Sequence, residues 1–237
     1  MGVVRELLAW LLVPVICLVA LFFYLVRPFN PDNNRILGWY LARAGRGVLG
    51  MKRPLEGAEN MPRDRPTVVI ANHQYNDDLF VLGDLLPPRT VTVGKSALAW
   101  LPFFGQVFWL GGNVMINRAQ SHRAIAMMQV TTEAIARDHK SLWVFPEGTR
   151  SKGRGLQKLK KGAFHAAVAA QAPITMVCAG VYDNRRRGLL GARRPVAVRI
   201  LPPVETRGLT NADIPRLMEQ CRQQMAETIA DLTDQHR

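Results

Sequence analysis

The stretch Pro66 to Phe80, PTVVIANHQYNDDLF, places an apolar strand, a polar corner and the start of a helix within fifteen residues. Thr67 to Ala71 is a short β-branched run, and apolar runs bounded by turn signals are typical of buried strands. Asn72 and His73 follow at its carboxyl end. Ligands of open α/β sheets bind outside the carboxyl ends of the strands, so His73 is a candidate functional residue.

Asp78 follows His73 by five residues. On one continuous helix this spacing would turn the two side chains about 140° apart, because each residue adds about 100°. A turn through residues 74–77, with Asn76 or Asp77 capping a helix that begins at Asp78, would let the carboxylate point back at the imidazole. A histidine oriented in this way can take a proton from a hydroxyl. The alternative is a histidine that satisfies a strand-end hydrogen bond, with Asp78 acting only as a cap.

The composition is basic, with 31 Lys and Arg against 18 Asp and Glu and a formal net charge of +13. Such an excess indicates an anionic partner, whether nucleic acid, an anionic membrane surface or a phosphorylated substrate. The 237 residues, 48% of them hydrophobic, suffice for one sizeable core. Cys17, Cys178 and Cys221 are widely spaced and show no Cys/His ligand spacing, so neither a disulfide framework nor a metal site is indicated.

The N-terminal region contains twenty apolar residues without a charge, Leu7 to Val26. At about 1.5 Å per residue this run can cross a hydrocarbon core of about 30 Å. A signal peptide is the alternative, but the run is longer than a usual signal core, and Arg27, Pro28 and Phe29 follow in place of a small-residue cleavage site. The sequence therefore favours an uncleaved membrane anchor. Basic residues are more frequent after it than before it, which predicts a cytoplasmic catalytic part, although a helix half-embedded in one leaflet would leave the same signature.

Asn34 to Leu49 is predicted to form an amphipathic helix along the membrane surface. We therefore expect residues 1–53 to form a membrane-embedded helical segment and residues 54–237 to form the catalytic domain. In that domain short apolar runs alternate with helical patterns, which is typical of an α/β sheet covered by helices. Strands are expected at Thr67–Ala71, Val91–Val93, Val114–Ile116, Leu142–Phe145, Ile174–Ala179 and Val196–Leu201. Helix faces are marked by Ile125, Met128, Thr132 and Ile135, and by Leu217, Cys221, Met225, Ile229 and Leu232, the second helix being capped by Asp213.

A second polar strand end is FPEGTRS, Phe145 to Ser151. This loop would bring its backbone amides, Glu147 and Arg150 to the same edge of the sheet at which His73 lies. Arginine offers a planar fork that matches phosphate, and Glu147 could accept a hydrogen bond from a substrate hydroxyl. The alternative is a solvated basic loop, because lysines and arginines continue from Arg150 to Lys161 without an acid.

Two further cations stand at predicted strand ends, Lys95 and the Arg118 of GNVMINR. Gly94-Lys95-Ser96 resembles the end of a P-loop, but position 89, where that motif requires glycine, is Arg89, so an NTPase is excluded. No Gly-x-Ser-x-Gly elbow supplies a serine nucleophile. The aromatic run from Leu98 to Leu110 could line a site for an acyl chain, dip into the membrane or form an ordinary buried helix.

Taken in order, these motifs resemble those of the glycerophospholipid acyltransferase family. The resemblance covers roughly residues 65–203 and rests on Asn72-His73 followed by four residues and Asp78, on GNVMINR, on FPEGTRS, on Lys160-Lys161-Gly162 and on Ala172-Pro173-Ile174. It implies a glycerol-phosphate acyltransferase-like α/β fold with a mixed central sheet covered by helices. It also implies His73 as general base with Asp78 as its partner, and Lys95, Arg118, Glu147, Gly148 and Arg150 in acceptor binding. Asn117 departs from the family, which commonly has Asp there, so any role of that carboxylate is in doubt.

The resemblance implies a reaction without cofactor or metal. An acyl chain would pass from an acyl-carrier-protein or coenzyme A thioester to the sn-2 hydroxyl of a lysophospholipid such as 1-acylglycerol-3-phosphate, at the cytoplasmic membrane. Membrane lipids would be partners, and nucleic acid would not. Two alternatives stay open: acylation of another lysolipid, such as a lyso-ornithine lipid, or a membrane-anchored basic module that binds anions without chemistry.

Overall fold

The computed structural model describes residues 3–116, 132, 135, 137–183 and 192–235. Six α-helices have both of their ends within these residues: α1 (Val3–Val26), α2 (Asp32–Leu49), α3 (Asp78–Leu82), α4 (Phe104–Leu110), α5 (Gly162–Ala170) and α6 (Ile214–Asp234). Seven strands accompany them: β1 (Leu55–Glu56), β2 (Val68–Ala71), β3 (Thr90–Lys95), β4 (Val114–Ile116), β5 (Ser141–Val144), β6 (Ile174–Ala179) and β7 (Val198–Ile200). Each of the six predicted strands is present, and β1 is an additional short edge strand.

The strands form one sheet in the order β1-β7-β6-β2-β5-β3-β4. The five strands from β6 to β4 are mutually parallel, whereas β7 runs antiparallel to β6 and parallel to β1. The expectation of a mixed α/β sheet covered by helices is confirmed. Because β2 lies between β6 and β5, the residues that follow it emerge in the middle of the edge formed by the parallel strands' carboxyl ends.

Alternation along β2 divides the core between the two faces of the sheet, since successive strand residues point to opposite sides. Val68 and Ile70 pack with residues of α5 and α6, including Phe164 and Met225. Val69 and Ala71 pack on the other face, in a core that also contains residues of α1, α2 and α3. The sheet is therefore covered by helices on both faces.

The two N-terminal helices lie against the helix that carries Asp78. On α2 a Cβ at Gly38 would lie 2.3 Å from the carbonyl oxygen of Gly83, and a Cβ at Gly45 would lie 2.2 Å from the Phe80 ring. Only glycine permits this close approach. From α1 the Trp10 ring packs on Phe80 with centroids 5.0 Å apart. The helices begin slightly earlier than predicted, and the division of the chain at residue 53 stays a prediction.

Two capping predictions are wrong in detail. Asp77 occupies the N-cap position of α3 without a side-chain capping bond, because its carboxylate pairs with Arg193 instead. Asp213 precedes α6 but accepts from the Thr210 backbone N–H, at 2.9 Å, and so closes the short 3-10 turn before the helix. The predicted helix face from Ile125 to Ile135 lies outside the described residues except for Thr132 and Ile135, both of which are helical.

Candidate active site

The turn between β2 and α3 brings His73 and Asp78 together. The N–H of Asp78 donates to the Tyr75 carbonyl at 3.3 Å, and that of Leu79 to the Asn76 carbonyl at 3.1 Å, so the chain reverses before α3 begins. His73 Nδ1 then lies 2.6 Å from Asp78 Oδ2. The histidine side chain is 22% exposed and that of the aspartate 2%. The ring can therefore meet a substrate while the carboxylate stays out of solvent.

The surroundings of Asp78 assign the histidine tautomer. Besides His73 Nδ1, Oδ2 accepts the backbone N–H of Gln74 at 2.6 Å and of Tyr75 at 3.2 Å, and Oδ1 accepts the Tyr182 hydroxyl at 2.6 Å. An ionised carboxylate only accepts hydrogen bonds, so Nδ1 carries its proton and Nε2 has a free lone pair. Stacking on Phe145, at 4.1 Å between centroids and 17° between planes, further restricts the ring. This geometry would allow His73 to act as an oriented general base.

Glu147 was expected to contact the substrate, but its side chain is buried and binds the protein backbone. It is 3% exposed, its Oε1 accepts the His73 backbone N–H at 2.6 Å, and its Oε2 accepts that of Gln157 at 2.9 Å. Burial raises the pKa of this carboxyl group, and the two N–H donors partly oppose that rise. Because both oxygens bind backbone, the geometry favours support of the His73 main chain over contact with a substrate hydroxyl.

The FPEGTRS loop is joined to the residues after β2 by main-chain hydrogen bonds. The N–H of Ser151 donates to the His73 carbonyl at 2.8 Å. Gly148 adopts φ +67°, a left-handed conformation that favours glycine, and a Cβ there would meet the Lys160 side chain at 2.7 Å. Arg150 is exposed, and its Nη1 donates to Asn76 Oδ1. The structure thus places Arg150 at the rim of the same turn that carries His73.

The other two predicted cations are less closely tied to this turn. Lys95 is exposed at the carboxyl end of β3, two strands away from β2 along the same edge. Arg118 lies outside the described residues, shortly after the end of β4. Its role in acceptor binding stays a prediction. Among the described residues, no group of three or more His, Cys, Asp or Glu side chains is placed to hold a metal ion.

Three residues of the site were given no role from the sequence. Asn72 joins β2 to β6, because its amide donates to the Ala179 carbonyl and accepts the Ala179 N–H, each at 2.8 Å. Tyr182 reaches Asp78 from the end of β6, and Arg193 pairs with Asp77 at 2.5 Å. Asn72 was noted beside His73 in the sequence, but no role was assigned to it. Tyr182 and Arg193 are separated from the turn by more than one hundred residues, and local sequence carries no signal for them.

Two cavities lie near the site, one beside the turn and one beside the FPEGTRS loop. A cavity of about 540 Å³ is bordered by Tyr75, Lys152, Tyr182 and Arg194. A second, of about 560 Å³, is bordered by Thr149 of the FPEGTRS loop and by three lysines, Lys158, Lys160 and Lys161. His73 itself borders neither cavity, but basic side chains border both of them, one next to Tyr75 and the other next to the FPEGTRS loop.

Comparison with known proteins agrees with the geometry. The family model described as Acyltransferase matches residues 52–180. The chain is 38% identical to the 1-acyl-sn-glycerol-3-phosphate acyltransferase of Salmonella typhimurium and 35% identical to that of Escherichia coli K12, each alignment covering 92% of this chain and 89% of the relative. The human 1-acyl-sn-glycerol-3-phosphate acyltransferase alpha is 34% identical over 88% of this chain and 74% of its own length.

A solved structure supports the fold. The crystal structure of the 1-acyl-sn-glycerophosphate (LPA) acyltransferase PlsC from Thermotoga maritima superposes with a TM-score of 0.75 and covers 98% of both chains, at 22% sequence identity. That identity supports an argument about architecture alone. The family model spans more than half of the chain, and the relatives align along most of it. The chain therefore belongs to the acyltransferase family.

Proposed function

We propose that this enzyme transfers an acyl chain from an acyl thioester to the sn-2 hydroxyl of 1-acylglycerol-3-phosphate, forming phosphatidic acid. The observation that carries the proposal is the His73–Asp78 pair, 2.6 Å apart and partly open to solvent at the sheet edge. The bacterial and mammalian relatives, which are named as 1-acyl-sn-glycerol-3-phosphate acyltransferases, indicate the acceptor.

The reaction follows from the free Nε2 of His73. This nitrogen takes the proton of the acceptor hydroxyl as its oxygen attacks the thioester carbonyl. The new C–O bond forms, the C–S bond breaks, and the proton passes from the imidazolium to the departing thiolate. A thiolate leaves readily, so no nucleophile of the enzyme is required. A positioned base of this kind contributes about 10²- to 10⁴-fold in rate.

Cations near the turn would hold the phosphate of the acceptor. Arg150 projects from the rim, and the three lysines that border the 560 Å³ cavity extend the positive surface beside Thr149. A guanidinium can bind a phosphate through two parallel hydrogen bonds. Fixing the headgroup in this way also orients the hydroxyl toward His73. We propose acyl carrier protein or coenzyme A as the carrier of the donor chain.

The experiment compares acceptors in the full-length protein and its Arg150→Ala variant. Thiol release from an acyl thioester is followed with 1-acylglycerol-3-phosphate and with a lysolipid that lacks phosphate. We expect the wild type to prefer the phosphorylated acceptor. We expect Arg150→Ala to raise KM for it by about 10- to 100-fold with little change in kcat, because a charge-assisted hydrogen bond is worth about 1.5–3 kcal/mol.

Arg207→Ala, at an exposed arginine outside this turn, is the matched control and should leave KM unchanged. Equal turnover of both acceptors by the wild type would instead indicate that the enzyme acylates another lysolipid. Salt-sensitive binding of anionic lipid without any thiol release would favour a binding module and overturn the proposal.

We also propose that α1 associates with one leaflet of the membrane and leaves the catalytic domain on the cytoplasmic side. The helix is long and apolar enough to span a bilayer. Its two ends, however, meet the same domain. Near its start, Trp10 packs on Phe80 of α3 with ring centroids 5.0 Å apart, and just beyond its other end the Phe29 N–H donates to the Leu110 carbonyl at 2.6 Å. Exposed apolar side chains between these points could enter lipid, among them Leu11, Phe22 and Val26, which are 62%, 68% and 82% exposed.

Cysteine labelling tests this placement, because the native cysteines 17, 178 and 221 are buried. We expect cysteines introduced as Val4→Cys and Arg27→Cys to react with a membrane-impermeant maleimide from the cytoplasmic side of vesicles in both cases. The unsubstituted protein measures the background. Reaction of the two positions from opposite sides would show that the helix spans the membrane.

A further inference from the structure

Tyr182 is held beside the catalytic turn by its own backbone and by its ring. It stands three residues after β6, where its N–H donates to Gln74 Oε1 at 3.2 Å, and the Gln74 amide donates in turn to the Gly180 carbonyl at 2.8 Å. Its ring packs against that of Tyr75 with centroids 5.2 Å apart. The side chain is therefore fixed before its hydroxyl makes any contact.

The hydroxyl meets the one oxygen of Asp78 that does not face His73. Tyr182 donates to Oδ1 at 2.6 Å, whereas Oδ2 is shared by His73 and two backbone N–H groups. Within the described residues, Tyr182 is the hydrogen-bond donor to Oδ1. The tyrosine is 6% exposed and the Asp78 side chain 2% exposed, so bulk water has little access to replace this bond. A buried carboxylate oxygen that loses its partner is unfavourable.

The charges around the pair come from four parts of the chain. Asp77 adjoins Asp78 and pairs with Arg193, and Glu147 binds the His73 backbone. Burial raises the pKa of Asp77, Arg193 opposes that rise, and Glu6 of α1 adds to it. Burial, followed by the proximity of Asp78, raises the pKa of Tyr182 well above the usual value for a phenol. The tyrosine therefore remains protonated and acts as a donor.

We propose that Tyr182 is a positioning residue for the reaction described above: its hydroxyl fixes the plane of the Asp78 carboxylate and draws charge away from Oδ2. The first effect keeps Oδ2 directed at His73 Nδ1. The second moderates the attraction of Asp78 for the imidazolium, so that Nε2 can release its proton to the leaving thiolate. This inference rests on the proposed function but assigns a role to a residue that the motifs do not contain.

The test is Tyr182→Phe in the full-length protein, with thiol release measured against pH. We expect kcat to fall by about 10-fold or more while KM for 1-acylglycerol-3-phosphate stays within about twofold, because one charge-assisted hydrogen bond outside the acceptor site is lost. Without the tyrosine's hydrogen bond, Asp78 attracts the imidazolium more strongly. The acid limb of the kcat/KM profile should therefore move to higher pH, by about half a unit or more.

Tyr24→Phe is the matched control, since Tyr24 is 2% exposed and its hydroxyl lies 3.5 Å from Asn34 Oδ1, away from the pair. It should leave the acid limb in place. Thermal unfolding of both variants shows the loss of stability that either substitution causes, and the position of the limb does not depend on the folded yield. A Tyr182→Phe enzyme with an unmoved limb, or with unchanged kcat, overturns the inference. Absence of thiol release from the wild type would instead overturn the proposed function.

Discussion

His73→Ala is expected to lower kcat for acyl transfer by about 10²- to 10⁴-fold, the range typical of a lost general base. We expect neither neighbouring carboxylate to replace His73 as the base. Both oxygens of Glu147 accept backbone N–H groups, and the Asp78 side chain is only 2% exposed. The fold should persist, since the Glu147 and Ser151 contacts use only the main chain of His73. The measurement is single-turnover thiol release together with thermal unfolding.

His165→Ala provides the comparison, because His165 is an exposed histidine on α5, and it should keep full activity. KM for the acceptor should change little in His73→Ala, because the phosphate contacts are not touched. A His73→Ala enzyme that turns over at a rate near that of the wild type would show that the pair is not the base. The mechanism proposed for this chain would then have to be abandoned.

Asp78→Asn is expected to reduce kcat by about 10³- to 10⁴-fold, by analogy with the loss that follows when the oriented acid of a catalytic triad becomes an amide. The amide carries one acceptor oxygen, whereas the carboxylate accepts on both. Either His73 Nδ1 or the Tyr182 hydroxyl then faces an NH₂ group. The favoured tautomer of His73 is lost, and Nε2 ceases to be a free base.

The same substitution should also lower stability by about 1–3 kcal/mol, because a buried donor is left facing another donor. Thermal unfolding separates this effect from the loss of activity, and Asp64→Asn, at an exposed aspartate, controls for the change in charge. Turnover in Asp78→Asn close to that of the wild type would mean that the 2.6 Å contact does not orient the base.

Much of the site was predictable because it is local. The β-branched run Thr67–Ala71 predicts a buried strand, and the polar residues after it predict a turn, whatever the rest of the chain does. The spacing from His73 to Asp78 requires that turn if the two side chains are to meet. The strand ends at Lys95 and Glu147 were found from short apolar runs and share an edge because their strands are parallel.

Glu147 marks the limit of this reasoning. A carboxylate among lysines and arginines suggests contact with substrate, yet it binds the main chain of His73 and of Gln157. Every residue except proline carries a backbone N–H, so the sequence does not show which of these groups bind the Glu147 carboxylate. Gly38 and Gly45 of α2 likewise look like ordinary helix residues in the sequence, and only the packing of Gly83 and Phe80 against them shows why they are glycine.

The sequence by itself determined the α/β alternation, the candidate base with its acid and the apolar N-terminal helix, because each depends on periodicity or spacing within about twenty residues. Only the tertiary structure decided that Tyr182 and Arg193 reach the turn after β2, that Glu147 binds the main chain of His73, and that α1 contacts Phe80 near its start while Phe29, just beyond its end, contacts Leu110. These contacts join residues far apart in the chain. They form only when strand order and helix packing bring distant segments to the same edge of the sheet.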